Sequence, residues 1–148
     1  MSATRKHEDG VITGRCYCGA STVRASAPPT RISYCHCRDC RRFTGAPVAA
    51  FAAFAADAVS FSPNDGSVAP GADGVERTFC PQCGSPLAGR FDYLPGQVFV
   101  ALGVLEQAEE LVPEQHSYES HRLSWLHIED DIERFDTSSR DRLNDSMK

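Results

Sequence analysis

Seven cysteines in three tight groups are the residues of this sequence best suited to chemistry: Cys16-x-Cys18, Cys35-x-Cys37-x-x-Cys40 and Cys80-x-x-Cys83. An odd number of thiols makes a poor disulfide framework, because one is left over. Metal is the better reading. Zinc takes four ligands tetrahedrally, and ligands close in sequence chelate one ion because little loop entropy is lost between them. With each group kept intact, the first and second together would bring five ligands to one ion, whereas the first and third bring four and leave three. The spacing proposes a four-cysteine site of Cys16, Cys18, Cys80 and Cys83, and a three-cysteine site of Cys35, Cys37 and Cys40. Gly19 and Gly84 follow Cys18 and Cys83 and permit the positive-φ turn that aims backbone N–H groups at sulfur.

The two sites should do different work. A closed four-cysteine site stabilises a fold, while three protein ligands leave a fourth position for water or substrate, so Cys35, Cys37 and Cys40 are the candidate catalytic residues. Arg31 to Cys37 alternates like a strand, which puts Cys35 and Cys37 on one face and Ile32, Tyr34 and His36 on the other. His36 then reads as a packed or hydrogen-bonded histidine rather than a catalytic one. Any of His116, His121 and His127 could return to close the second site, since zinc accepts imidazole. Arg38, Arg41 and Arg42 flank the three thiols, with Asp39 between, in a segment expected to turn helical. They could offset the negative charge of metal-bound thiolates, or bind a carboxylate-bearing substrate through guanidinium forks.

The elements that must hold these groups read as short strands. Ala20 to Ala25, Thr30 to Cys37, Val75 to Phe79, Gln97 to Leu105 and Leu123 to Ile128 are rich in β-branched, aromatic or alternating apolar residues. Pro28-Pro29, Asn64-Asp65-Gly66, Pro70-Gly71 and Pro95-Gly96 punctuate them. Ala49 to Ala56 suits a helix face or a buried strand, and we read it as strand. Asp136 to Lys148 is polar, with only Leu143 and Met147 as apolar anchors, and reads as a mobile tail or frayed helix.

Length and composition bound the rest. The 148 residues, 41% hydrophobic and 24% charged, suit one globular domain with its own core. A net charge of -5 repels phosphate backbones and anionic lipid, which argues against nucleic acid or membrane as partner. The longest apolar run, Ala46 to Ala56, is interrupted by Pro47 and falls short of the ~18 residues that span a bilayer. Met1 to Gly10 is charged and lacks the apolar stretch of a secretory signal, so a reducing cytoplasmic setting is expected.

Three segments in combination carry a resemblance. Gly14-x-Cys16-x-Cys18-Gly19, then CHCRDCRRFTG from Cys35 to Gly45, then Phe79-Cys80-Pro81-x-Cys83-Gly84-Ser85-Pro86-Leu87 resemble the glutathione-dependent formaldehyde-activating enzyme family, which includes centromere protein V. Pro113-x-x-His116 and Trp125-x-x-Ile128-x-Asp130 look like its C-terminal signature, extending the likeness over about residues 11–136. Tyr17 stands where the family often has His, a change that alters no ligand.

The resemblance implies a mainly β, single-domain, zinc-stabilised fold of the Mss-four-like kind over 11–136, with polar tails at 1–10 and 137–148. It implies a structural zinc on Cys16, Cys18, Cys80 and Cys83 and a catalytic zinc on Cys35, Cys37 and Cys40. The implied activity is that of a carbon–sulfur lyase, joining formaldehyde to the thiol of glutathione to give S-hydroxymethylglutathione. The family's non-enzymatic members keep a second expectation open, a zinc-stabilised binding module.

Overall fold

The protein is described by a computed structural model over residues 10–148; the polar N-terminal segment expected over 1–10 lies, Gly10 apart, outside the described residues. It is mainly β. The strands are β1 (Ile12–Arg15), β2 (Thr22–Ala25), β3 (Arg31–Cys35), β4 (Ala49–Ala55), β5 (Val59–Ser62), β6 (Ser67–Ala69), β7 (Val75–Phe79), β8 (Pro86–Phe91), β9 (Gln97–Ala101), β10 (Gln115–Ser117) and β11 (Glu133–Arg134). Among the described residues two short helices, α1 (Arg38–Thr44) and α2 (Arg140–Asp145), complete the regular elements apart from single 3-10 turns.

The strands form a three-stranded sheet, β1-β2-β5, and an eight-stranded sheet ordered β11-β10-β3-β4-β9-β8-β7-β6. Sequence AAFAAFA makes β4 the centre of the larger sheet, because alternation sends Phe51 and Ala53 to one face and Ala52 and Phe54 to the other. Register then matches large to small: Phe51 pairs with Ala101, Ala52 with Val100 and Ala53 with Phe99. Ala52, Phe54, Val98 and Val100 pack with Ile12, Val23 and Leu105 beneath the small sheet. Phe51, Ala53 and Phe99 form a second core with Leu94, Leu143 and Cys40, and Cys35, Cys37 and Phe91 pack against it. The three-thiol group thus sits on the apolar face opposite the small sheet.

Long-range pairing decides what periodicity leaves ambiguous. Residues 49–56 form a strand through Ala55 because β3 and β9 flank it. The strand expected over Gln97 to Leu105 stops at Ala101 and continues as a 3-10 turn, Leu102–Val104. Leu123 to Ile128 is turn and coil rather than strand. The Arg122 guanidinium takes the carbonyls of Leu123 and Leu126, which a neighbouring strand would otherwise need. The polar C-terminal segment docks instead of fraying. Leu143 is buried, Arg31 Nε donates to Ser146 Oγ at 3.0 Å, and Gln97 Nε2 donates to Asn144 Oδ1 at 2.8 Å. Among the described residues no helix is long and apolar enough to cross a membrane.

Candidate metal centres and adjoining cavity

Two turns build the four-thiol group. After β1 the chain folds back with Cys16 N–H on Ser21 O at 3.0 Å; after β7 it does the same with Cys80 N–H on Ser85 O at 2.9 Å. Gly19 and Gly84 take φ of 85° and 81° in these turns, the left-handed conformation that glycine allows without a Cβ clash. Tyr17 N–H donates to Ser85 Oγ at 3.0 Å and ties one turn to the other, while the Tyr17 side chain is exposed.

The sulfurs of Cys16, Cys18, Cys80 and Cys83 all lie within 4.8 Å of one another. Cys16 and Cys18 are 3.7 Å apart, Cys18 and Cys80 3.9 Å. Tetrahedral zinc with Zn–S bonds near 2.3 Å spaces its sulfurs by about 3.8 Å, so this group can hold such an ion. Backbone donors serve the sulfurs: Ser21 N–H on Cys16 Sγ at 3.2 Å and Ala20 N–H on Cys18 Sγ at 3.4 Å. The Ser85 hydroxyl, 3.1 Å from Cys83 Sγ, leads the groups that pull the Cys83 thiol down to about 5.

The three-thiol group is made by the junction of β3 and α1. Cys35 ends the strand, Cys37 is the N-cap of the helix, and Cys40 is buried in its first turn. Cys40 N–H donates to Cys37 Sγ at 3.3 Å, the capping bond a serine or aspartate commonly makes. The three sulfurs lie within 4.8 Å of one another, with no histidine in the group. Thiols of Cys35 and Cys40 donating to Cys37 hold its pKa down at about 2, whereas Cys35 is pushed up by its bonds to Cys37 and Cys40 and by burial. One negative charge is thereby concentrated on Cys37, beside two thiols that a metal would deprotonate.

His36 points away from the sulfurs, as alternation predicts. Its Nε2 faces His116 Nδ1 at 2.9 Å, and His116 Nε2 faces Asp130 Oδ2 at 3.0 Å. Glu119 completes a trio with His36 and His116. The ring planes differ by 16° with centroids 5.1 Å apart, so the nitrogens meet nearly in line, the arrangement of a hydrogen bond rather than of a chelate. His116 is thus engaged elsewhere, and His127 is exposed. His121 lines the cavity beside the three thiols, and its Nδ1 is buried without a hydrogen-bond partner.

That cavity, about 380 Å3, opens next to Cys35, Cys37 and Cys40. Arg38 and Arg42, one turn apart on α1, line it; Arg41 does not, and its Nε is buried without a partner. Two further arginines, Arg77 and Arg140, escaped the reading from sequence. Arg77 Nη2 lies 3.8 Å from Cys40 Sγ, and its guanidinium stacks between Phe43 and Phe91 at 5.4 and 5.3 Å from the ring centroids. An arginine alternating with Val75 and Phe79 on an otherwise apolar strand face was the available signal. Arg140 covers the Tyr93 ring at 4.2 Å and arrives on α2, in the segment read as a tail.

Comparison with known proteins bears on this architecture. The profile of the glutathione-dependent formaldehyde-activating enzyme family matches residues 11–121. An uncharacterized lyase of Schizosaccharomyces pombe is 35% identical over 74 residues, a stretch covering 50% of this chain and 53% of that protein. The chain therefore matches about half the length of this curated relative. A crystal structure of a Rhodobacter sphaeroides protein superposes with a TM-score of 0.51 at 20% identity, covering 64% of this chain and 87% of that one, and so shares the fold. With the profile spanning both cysteine turns, the β3–α1 junction and His121, the chain belongs to the glutathione-dependent formaldehyde-activating enzyme family.

Proposed function

We propose that the protein is a zinc-dependent carbon–sulfur lyase-like enzyme of the cytoplasm, acting on the adduct of a small thiol such as glutathione with a small aldehyde. The observation that supports this most is the placement of the three-thiol group. It opens onto a cavity within the ~300–1,000 Å3 range of small-molecule sites, whereas Cys16, Cys80 and Cys83 of the four-thiol group pack with Leu87 and Phe61 in a small core and Cys18 is exposed. That difference favours an enzyme over a zinc-stabilised binding module, and it supports reading Cys16, Cys18, Cys80 and Cys83 as the holders of a structural zinc.

Cys35, Cys37 and Cys40 would hold the second zinc, which when bound supplies a Lewis-acidic centre with one coordination position beyond its three thiolates. The reaction joins sulfur to the carbonyl carbon, and the thiol proton ends on the carbonyl oxygen; the reverse direction breaks the same C–S bond. Arg38 and Arg42 face the cavity as carboxylate-binding forks. His121 lines the same wall with its Nδ1 buried and without a hydrogen-bond partner, which supports it as the group that would receive the thiol proton and return it to oxygen. The apolar wall of Phe51, Phe99 and Leu143 limits water at the reacting carbon.

Exchange between glutathione plus formaldehyde and S-hydroxymethylglutathione can be followed at equilibrium by NMR. Zinc-loaded protein should accelerate it above the uncatalysed rate, and Cys40→Ser should not. Equal rates with and without the wild-type protein would contradict the reading.

A further inference from the structure

The walls of the cavity say more than its thiols do. Phe91 sits edge-on to Phe99 with centroids 5.6 Å apart and tilts against Tyr93 at 5.6 Å. Phe51, Leu94 and Leu143 continue that surface, and the three cysteines belong to the same apolar cluster. Guanidinium groups cap two of these rings: Arg77 over Phe91 and Arg140 over Tyr93. Cation–π contact pins these side chains and leaves the lining aromatic on its walls and cationic where the arginines enter.

Formaldehyde has no apolar surface to offer such a wall. Glutathione carries two carboxylates, which suit Arg38 and Arg42, and an ammonium group, which suits Asp39 in the same wall, but none of these suits Phe51, Phe99 or Leu143. A one-carbon adduct would leave the aromatic lining facing water or an empty volume, and either forfeits the burial that makes such a surface useful to a binding site. A phenyl-sized body beside the reacting carbon would fill it.

We propose that the carbonyl partner of this protein is an apolar or aromatic aldehyde larger than formaldehyde, whose body packs against Phe91, Tyr93 and Phe99 while the carboxylates of the thiol are held by the arginines. This rests on the lyase reading for the reaction but not for the recognition. The adduct forms as before, with the C–S bond made and the thiol proton transferred to the carbonyl oxygen, giving a hemithioacetal with an apolar substituent on the reacting carbon.

Stable thioethers test recognition without turnover. Calorimetric titration of the zinc-loaded protein with S-benzylglutathione and S-methylglutathione compares the two bodies on one thiol. S-benzylglutathione should bind about tenfold or more tightly, the factor expected from burying a phenyl-sized group. Tyr93→Ala, at a half-exposed position of the wall, should shrink that ratio. Equal affinities, tighter binding of the methyl thioether, no binding of either, or a ratio unmoved by Tyr93→Ala would overturn the assignment. Should the preference hold while no aldehyde is turned over, the lyase reading fails and the recognition stands.

Discussion

His36 and His116 meet ring nitrogen to ring nitrogen at 2.9 Å beneath the loop that carries Cys35 and Cys37. The Asp130 carboxylate only accepts, so His116 Nε2 carries a proton; in the neutral ring, Nδ1 is then the acceptor for His36 Nε2–H. Burial, the leading cause, pushes the pKa of His36 down and keeps that ring neutral. The His36 backbone N–H also donates to Ser117 O at 3.0 Å, so ring and backbone together tie the cysteine loop to β10.

Replacing His116 with Phe keeps a ring against Tyr34, which stacks on it at 4.8 Å, but removes both hydrogen bonds. The variant should lose about 3 kcal/mol in chemical denaturation, from one charge-assisted bond and one buried donor left unpaired. An unchanged midpoint would show that the chain of bonds contributes nothing.

The two thiol groups should separate by mutation. Cys83→Ser would remove a ligand from the proposed structural site, where zinc would contribute an apparent ~10–16 kcal/mol that doubles as folding energy, so the variant should be largely unfolded or insoluble. Cys40→Ser should stay folded and carry one zinc per chain by elemental analysis. Loss of both ions together in Cys40→Ser would show that the sites are not independent.

Metal binding at the second site should be steeply dependent on pH. In the metal-free protein Cys37 is ionised at neutral pH, while Cys35 is raised. Cys40 lies at about 11, where the pull of the Cys35 thiol toward ionisation is outweighed by the Cys37 thiol and by burial. Loading the ion expels both protons, so affinity should rise by about two log units per pH unit near neutrality and fall as the solution is acidified. Calorimetry in buffers of different ionisation enthalpy counts those protons. Release of none would mean that the cysteines are already ionised.

Arg77→Met keeps the apolar stem between Phe43 and Phe91 but removes the charge 3.8 Å from Cys40 Sγ. Metal affinity at the second site should fall by about 10- to 100-fold, as for other groups that support ligands from outside the coordination shell. The four-cysteine site should be unaffected in the same competition titration with a chelator.

What could be read from the residues divides along sequence distance. The thiol groups are local: Cys16 and Cys18, or Cys80 and Cys83, declare themselves by spacing and by the glycines that follow. Alternation over Arg31 to Cys37 was enough to send His36 away from the thiols, because a strand's side chains have no other choice. Residues brought in from afar were not legible. Arg77 reaches Cys40 across 37 positions, and Arg140 and Leu143 arrive on a helix too short and polar to announce itself. Leu123 to Ile128 shows the converse failure. A pattern that suits a strand makes one only where a neighbouring edge is free, and here Arg122 occupies the carbonyls.

The proposed chemistry needs the three thiols of Cys35, Cys37 and Cys40 to grip one divalent ion with a coordination position open to an incoming thiol. Cobalt in place of zinc makes that position visible. Titrating glutathione into the doubly cobalt-loaded protein should shift the d–d bands of one ion and strengthen its sulfur-to-cobalt charge transfer, while Cys40→Ser should lose that response. A spectrum that stays fixed at full cobalt occupancy would contradict the open position.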